Sequence, residues 1–483
     1  MLTPYLIGIG MDLAAFAADR LWSDLAAGII LMAEAVMLGI YFYRKDRCLV
    51  SFRLLLSVFW IGGEALGVMK LSRLHREWTI AAWLSFSLFY LLWLLSFDLV
   101  TVWRKRKTEA KSIAAQAMSV QEQSGQPQMS SGQDGETGKK ARLFGLMFEA
   151  RSREQMQKYL LYTVVIMTVI PWAAFLFEAV WLGFIPLFSI EPHAYSYFHV
   201  SGVHYFTVSS CFAPSLAMIW LLLSKKEERG KREYLILAGC SLASLLIPVL
   251  CVSKFFFAFT IVMPLIVLLL LGPQIPTRYL VTGIGLVAAV FAAAVVFMTA
   301  SRHYEPGYLD SVFEMKNSSI PVMIQYVYMY IANNYANFNE LTIALAQGSV
   351  SQLWGLKQLF PVFALTGLKF VFPELTVFYQ PVTKDILNTL TIIYDAYYDF
   401  NLIGVIGFSL ILGAVCAVIS EATARKTRPV AGLFYAQIAL YLMLSFFSAW
   451  FSVATTWFWL VLTAILWLYT SFSVTRVEKR DKL

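Results

Sequence analysis

The sequence predicts an all-α polytopic membrane protein with about eleven or twelve transmembrane helices and one large helical extracytoplasmic loop. Three observations predict it. Hydrophobic residues make up 59% of the 483-residue chain and charged residues only 14%, and a mean hydropathy of +0.66 is too apolar for a soluble domain. Apolar runs of about 18–25 residues recur along the chain, matching the hydrocarbon thickness of a bilayer. The basic residues collect in alternate connections, and roughly 27 of the 38 fall on one side. The net charge of +8 is thereby accounted for at the membrane surface and does not point to nucleic acid.

Taken in order, spans are expected at 22–43, 50–70, 79–103, 159–180, 203–224, 233–252, 255–272, 279–300, 402–420, 430–449 and 453–472. The opening stretch MLTPYLIGIGMDLAAFAADR lacks the positive start of a cleaved signal and reads as an interfacial or partly inserted segment. If residues 4–20 do cross, the N-terminus lies inside; if not, it lies outside. Arg44 to Arg47, Arg104 to Lys107, Lys225 to Arg232, Arg278, Arg425 to Arg428 and Arg476 to Lys482 mark the cytoplasmic side. The C-terminus is then cytoplasmic and residues 301–401 face outward. Five regions follow: helices in 1–103, a cytoplasmic loop at 104–158, helices in 159–300, the outward loop at 301–401, and helices with a tail in 402–483. The middle of the cytoplasmic loop, SVQEQSGQPQMSSGQDGETGKK, has the Gln/Ser/Gly composition of a disordered segment. It is either a linker or a partner-binding region, and its basic flanks suit anionic headgroups.

Ionisable residues inside spans (Glu34, Glu64, Asp98 and Glu178) are expected to face the bundle or the interface. Glu64 and Glu178 are either hydrogen-bonded structural carboxyls or parts of a proton or ion path. The two halves lack the matched, broken hydropathy repeats of many transporters, which disfavours that class. The five cysteines are scattered singly and no CxxC or Cys/His metal spacing exists, so no metal or other cofactor is expected. After the span at 159–180, Pro186 and Pro192 end the helix, and the segment EPHAYSYFH at 191–199 carries outward aromatic and histidine side chains. These suit an aromatic belt or stacking on a sugar.

The chemistry is expected in the outward loop. Arg302 stands at the outer end of a span, where a guanidinium can grip a phosphate at headgroup depth, and Lys254 on the same side can supply a second positive charge. Snorkelling to lipid headgroups is the alternative for both. In YMYIANNYANFNE at 328–340, helical spacing stacks Tyr326 over Tyr330, Tyr330 over Asn334 and Asn333 over Asn337. Such a face suits carbohydrate or a helix buried against the bundle. The run from Gln352 to Phe372 is weakly apolar and suits a dip into the outer leaflet. Asp395 and Asp399 lie one helical turn apart; one can take a proton from a hydroxyl, or they cap and pair with Arg302.

GFIPLF at 183–188, Lys254, Arg302, Tyr330 with Asn337 and Phe338, and Leu387-Asn388-Thr389 through Tyr398-Asp399-Phe400 to Gly404 stand in an order that resembles the Wzy-type oligosaccharide repeat-unit polymerases, relatives of the O-antigen ligases. The resemblance runs from the second span to about residue 415. The chain departs from it in carrying lysine at 254, where arginine is common, and Asn401, where glycine is common. The resemblance implies a GT-C-like membrane glycosyltransferase at the outer face of a bacterial cytoplasmic membrane, independent of nucleotide sugars and metal. Donor and acceptor would be lipid-linked oligosaccharides on undecaprenyl pyrophosphate, with a chain-length regulator and a flippase as partners. It implies Arg302 and Lys254 beside the departing pyrophosphate and His303, Asp399 or Asp395 as the base, with Tyr330, Asn334, Asn337, Asn388 and Tyr398 lining the glycan site. An O-antigen-type ligase and a polysaccharide transporter are the rival readings.

Overall fold

The computed structural model describes residues 2–123, 141–143, 146–191, 194–224, 230–273, 276–300, 307–424 and 429–476. It is a helical bundle. In chain order the helices are α1 (Thr3–Leu21), α2 (Asp24–Asp46), α3 (Phe52–Leu56), α4 (Gly62–Val68), α5 (Ile80–Gln123), α6 (Arg153–Leu182), α7 (His204–Thr207), α8 (Phe212–Leu223), α9 (Lys231–Leu250), α10 (Lys254–Leu271) and α11 (Thr277–Ala300). They continue with α12 (Tyr308–Phe313), α13 (Val322–Ala346), α14 (Leu356–Thr366), α15 (Tyr394–Ala424), α16 (Gly432–Met443) and α17 (Ala454–Ser471). Eight segments among the described residues are long and apolar enough to cross a membrane: α2, α5, α6, α7 running on into α8, α9, α10, α15 and α17. The chain is a multi-pass membrane protein.

The first helix was the open point of the sequence. Residues 3–21 form a continuous helix that turns at Trp22 and Ser23 into α2, with the Ser23 hydroxyl accepting from Leu25 N at 3.2 Å. The two helices pack antiparallel, and a Cβ on Gly8 would lie 3.6 Å from the Glu34 carboxylate. A helix of this length rises about 28 Å, but it is not among the eight segments apolar enough to cross a membrane. Glu34 and Glu64 are buried in the bundle. Asp98 pairs instead with Arg53, 2.7 Å away, near the basic ends of α2 and α5.

At that basic end the structure adds an element that composition does not announce. Strands β1 (Ala141–Leu143), β2 (Leu146–Ala150) and β3 (Phe472–Arg476) form an antiparallel sheet in the order β1-β2-β3, with Leu146 opposite Arg476. The end of the 104–158 loop is thus paired with residues 472–476. Residues 124–140, the centre of the Gln/Ser-rich stretch, lie outside the described residues.

At the opposite end, α12 and α13 are locked onto the N-terminal helices. Ser72 donates to Phe313 O at 2.6 Å, and Arg73 N to Glu314 O at 2.9 Å. Beside them the Lys70 ammonium bridges Asp19 (2.7 Å), Glu77 (2.6 Å) and Asp24 (3.2 Å). Burial works against that charge, but the hydrogen bonds to Asp19 and Glu77 outweigh it and hold Lys70 above its ordinary pKa. Burial, with the nearby Lys316 and Lys70 charges, pushes His75 down to about 4. Farther in, Tyr335 lies over α4 and donates to Trp60 O at 2.7 Å. A Cβ at Gly63 would come within 2.6 Å of the Tyr335 hydroxyl, and one at Gly67 within 2.9 Å of its Cβ. The glycines flanking Glu64 therefore exist to let α13 approach.

Candidate functional site

A cavity of about 340 Å³ opens at the end of the bundle away from the basic connections. Its walls come from four stretches: the first turns of α14, residues 376–390, the first turn of α15, and the turn after α16. Each is fixed by hydrogen bonds that its local sequence dictates. The non-helical segment 379–392 has backbone groups with no ladder of their own, and α13 and α15 supply them. Asn337 Nδ2 donates to Leu387 O (2.6 Å) and Thr389 O (2.9 Å), while its Oδ1 accepts from Thr383 N at 2.8 Å. Asn333 Nδ2 donates to Leu387 O at 3.2 Å, and Asn334 Oδ1 accepts from Thr389. From α15, Tyr394 donates to Pro381 O at 2.6 Å and Tyr398 to Tyr379 O at 2.9 Å. Leu390 N and Ile392 N bond to Phe447 O and Ser445 O, joining this segment to the turn after α16.

The start of α14 is set from α15. Asp399 accepts from Lys357 N (3.2 Å) and Gln358 N (2.9 Å), so its carboxylate caps the free N–H groups of α14's first turn from another helix. The chain then breaks: Phe400 and Asn401 leave helical angles, with Asn401 at φ +51°. With ψ at −143°, Asn401 lies outside the left-handed helical region and in backbone that favours glycine. Gly404 is required on steric grounds, because a Cβ there would lie 1.9 Å from Ala396 O.

Those constraints leave two charges facing each other in the cavity. Lys357 Nζ lies 3.6 Å from Asp395 Oδ1, and that oxygen has no hydrogen-bond partner among the described residues. Around them stand Gln380, Asn388, Thr389, Ser448 and Ser452, with Phe360, Phe378 and Phe447 as apolar walls. Behind Phe447 runs an aromatic ladder. Phe447 stacks on Tyr330 (5.6 Å), Tyr330 on Tyr326 (4.7 Å), and Lys254 Nζ meets the Tyr326 hydroxyl at 2.7 Å and its ring at 4.4 Å. Next to the mouth, α14 and the residues on either side of it expose Trp354, Leu359, Val362, Phe370, Val371 and Val377. The arrangement offers a cation paired loosely with a carboxylate, neutral donors and acceptors, and an adjoining apolar surface.

Set against the expected site, Asp395 and Asn388 line the cavity, while Tyr330 and Lys254 stand one and several rings behind it. Four expectations are corrected. Asn334 and Asn337 are fully buried and spend their amides on backbone, so they do not offer a carbohydrate surface. Tyr398 spends its hydroxyl on Tyr379 O, and Asp399 is a buried helix cap outside the cavity lining. Arg302 and His303 lie outside the described residues. Sequence reasoning missed Lys357, Gln380, Ser448 and Ser452. Lys357, one of two lysines in the weakly apolar run from Gln352 to Phe372, was a signal of the same kind as Lys254; the two serines, in an ordinary apolar span end, gave none. No family model, curated protein or solved structure matches the chain.

Proposed function

We propose that this chain is a membrane glycosyltransferase that polymerises undecaprenyl-pyrophosphate-linked oligosaccharide repeat units at the outer face of a bacterial cytoplasmic membrane. The observation that carries the reading is the Lys357–Asp395 pair, 3.6 Å apart in a cavity beside exposed apolar side chains. A lipid-linked sugar needs these three features together: a cation for the diphosphate, a base for the acceptor hydroxyl, and an apolar surface for the isoprenoid. By the positive-inside rule the cavity faces away from the cytoplasm, where such donors are used.

In this reading the acceptor hydroxyl attacks the anomeric carbon of the donor glycan. Asp395 takes the hydroxyl proton. The bond from that carbon to the diphosphate oxygen breaks, and the diphosphate leaves with the electron pair. Lys357, with Lys254 behind the aromatic wall, stabilises the growing negative charge. Arg302 and His303 join them on the strength of the sequence resemblance. Asn388, Gln380 and the serines hold sugar hydroxyls, and the rings of Phe360, Phe378 and Phe447 take their C–H faces.

The test is a profile of lipid-linked oligosaccharides from a strain lacking the gene. Single repeat units should accumulate and the long polymer should disappear. A strain that instead retains the polymer on its lipid carrier and fails only to pass it to a final acceptor contradicts the reading and supports a ligase.

A further inference from the structure

Two of the chain's five histidines converge on one buried carboxylate outside the lining of the cavity described above. Glu178, near the end of α6, is fully buried. His204 opens α7, with its Nδ1 3.1 Å from Glu178 Oε1 and 3.2 Å from Oε2. His199 lies on the exposed side, its ring edge-to-face with His204 at 5.1 Å and 83°. One ligand atom from each of Glu178, His199 and His204 lies within 4.8 Å of the others.

The three residues are held in place by groups that are not themselves ligands. Val200 N donates to Glu178 Oε1 at 2.9 Å, and the Thr207 hydroxyl donates to Oε2 at 2.6 Å. These bonds orient the carboxylate, whose remaining lone pairs face His204 Nδ1. Phe198, buried, packs its ring against Phe175 (5.4 Å) and Phe184 (5.8 Å), which pins the backbone next to His199 onto α6. Bond lengths of about 2.0–2.1 Å in a tetrahedral zinc site place neighbouring ligand atoms about 3.3 Å apart, close to the separations between His204 and Glu178.

We propose that Glu178, His199 and His204 form a zinc-binding site with one open position on the solvent side. Two imidazoles with one carboxylate favour zinc over the hard cations, which take oxygen ligands. The exposed edge at His199 gives the ion an entry path and leaves room for a water as fourth ligand. The bound ion ties the end of α6 to the loop before α7. This proposal is independent of the polymerase reading.

The test uses the full-length protein, purified in detergent, stripped with a chelator and titrated with zinc chloride. About one equivalent should bind per chain, with a rise in thermal midpoint. His199→Ala, at an exposed position, should leave the fold intact and weaken zinc binding by more than about 100-fold; Thr207→Val should weaken it by about 10-fold through the carboxylate it orients. Glu178→Gln risks misfolding, so the two former variants decide. The proposal is overturned by the absence of stoichiometric zinc binding, or by unchanged affinity in His199→Ala.

Discussion

The asparagine-rich face of α13 and the cavity at the start of α14 and α15 carry comparable polarity, yet they use it in opposite ways. On α13, Asn333, Asn334, Asn337 and Asn339 are buried; Asn333, Asn337 and Asn339 donate to backbone of segments without regular structure, and Asn334 donates to Tyr330 O of its own helix while accepting from the Thr389 hydroxyl. In the cavity, Asp395 faces another side chain, Lys357 at 3.6 Å, and not backbone, and Asn388 is exposed. The difference teaches that polar residues in an apolar chain are sorted by whether nearby backbone already consumes their hydrogen bonds. Substitutions in the first region should cost stability; substitutions in the second should cost activity.

The largest effect is expected at Asn337. Replacing it by leucine strands Thr389 O and Thr383 N in the interior, at about 1–3 kcal/mol each, and removes a bond to Leu387 O, for a total of about 3–5 kcal/mol. Thermal unfolding and the yield of monodisperse protein check this; a wild-type midpoint would erase the contrast between the two regions. Next comes Lys357→Ala, which should lower polymerisation by about 100- to 1,000-fold while the thermal midpoint holds, as for loss of one transition-state donor. Polymer ladders of normal length would remove Lys357 from the reaction.

A third effect is pH-dependent. His75 titrates near 6.5 when unfolded and near 4 when folded, because burial opposes its charge. The unfolded chain therefore binds the proton first as pH falls. Stability from neutral His75 is complete above about pH 6.5 and lost through the interval down to about 4, amounting to about 2 kcal/mol by pH 5. His75→Gln should flatten that slope in a thermal melt; an unchanged slope would assign it elsewhere. The smallest effect is at Asp399, where Asn keeps one acceptor for the α14 cap. Asp399→Asn should cost about 1 kcal/mol of stability and retain polymerisation, and inactivity in a folded variant would restore Asp399 as the base.

Much of the fold was readable because its signals are local. Span length and basic loops set the long helices, whereas the chain break at Phe400 and Asn401 appears only in the structure. The pairing of β2 with β3 was not readable, since it joins Leu146 to Arg476 across most of the chain. In the site, charge inside apolar surroundings pointed to Asp395. It could not separate Asp395 from Asp399, because the spacing of one helical turn puts both on one face. What divides them is the N-terminus of α14, brought to Asp399 by folding.

The central claim is that the Lys357–Asp395 cavity performs the transfer. Purified protein in lipid nanodiscs, supplied with defined undecaprenyl-pyrophosphate-linked repeat units, measures this directly. The account predicts elongation by the wild type and none by a folded Asp395→Asn variant. Elongation by that variant at the wild-type rate, or none by the wild type itself, would contradict it.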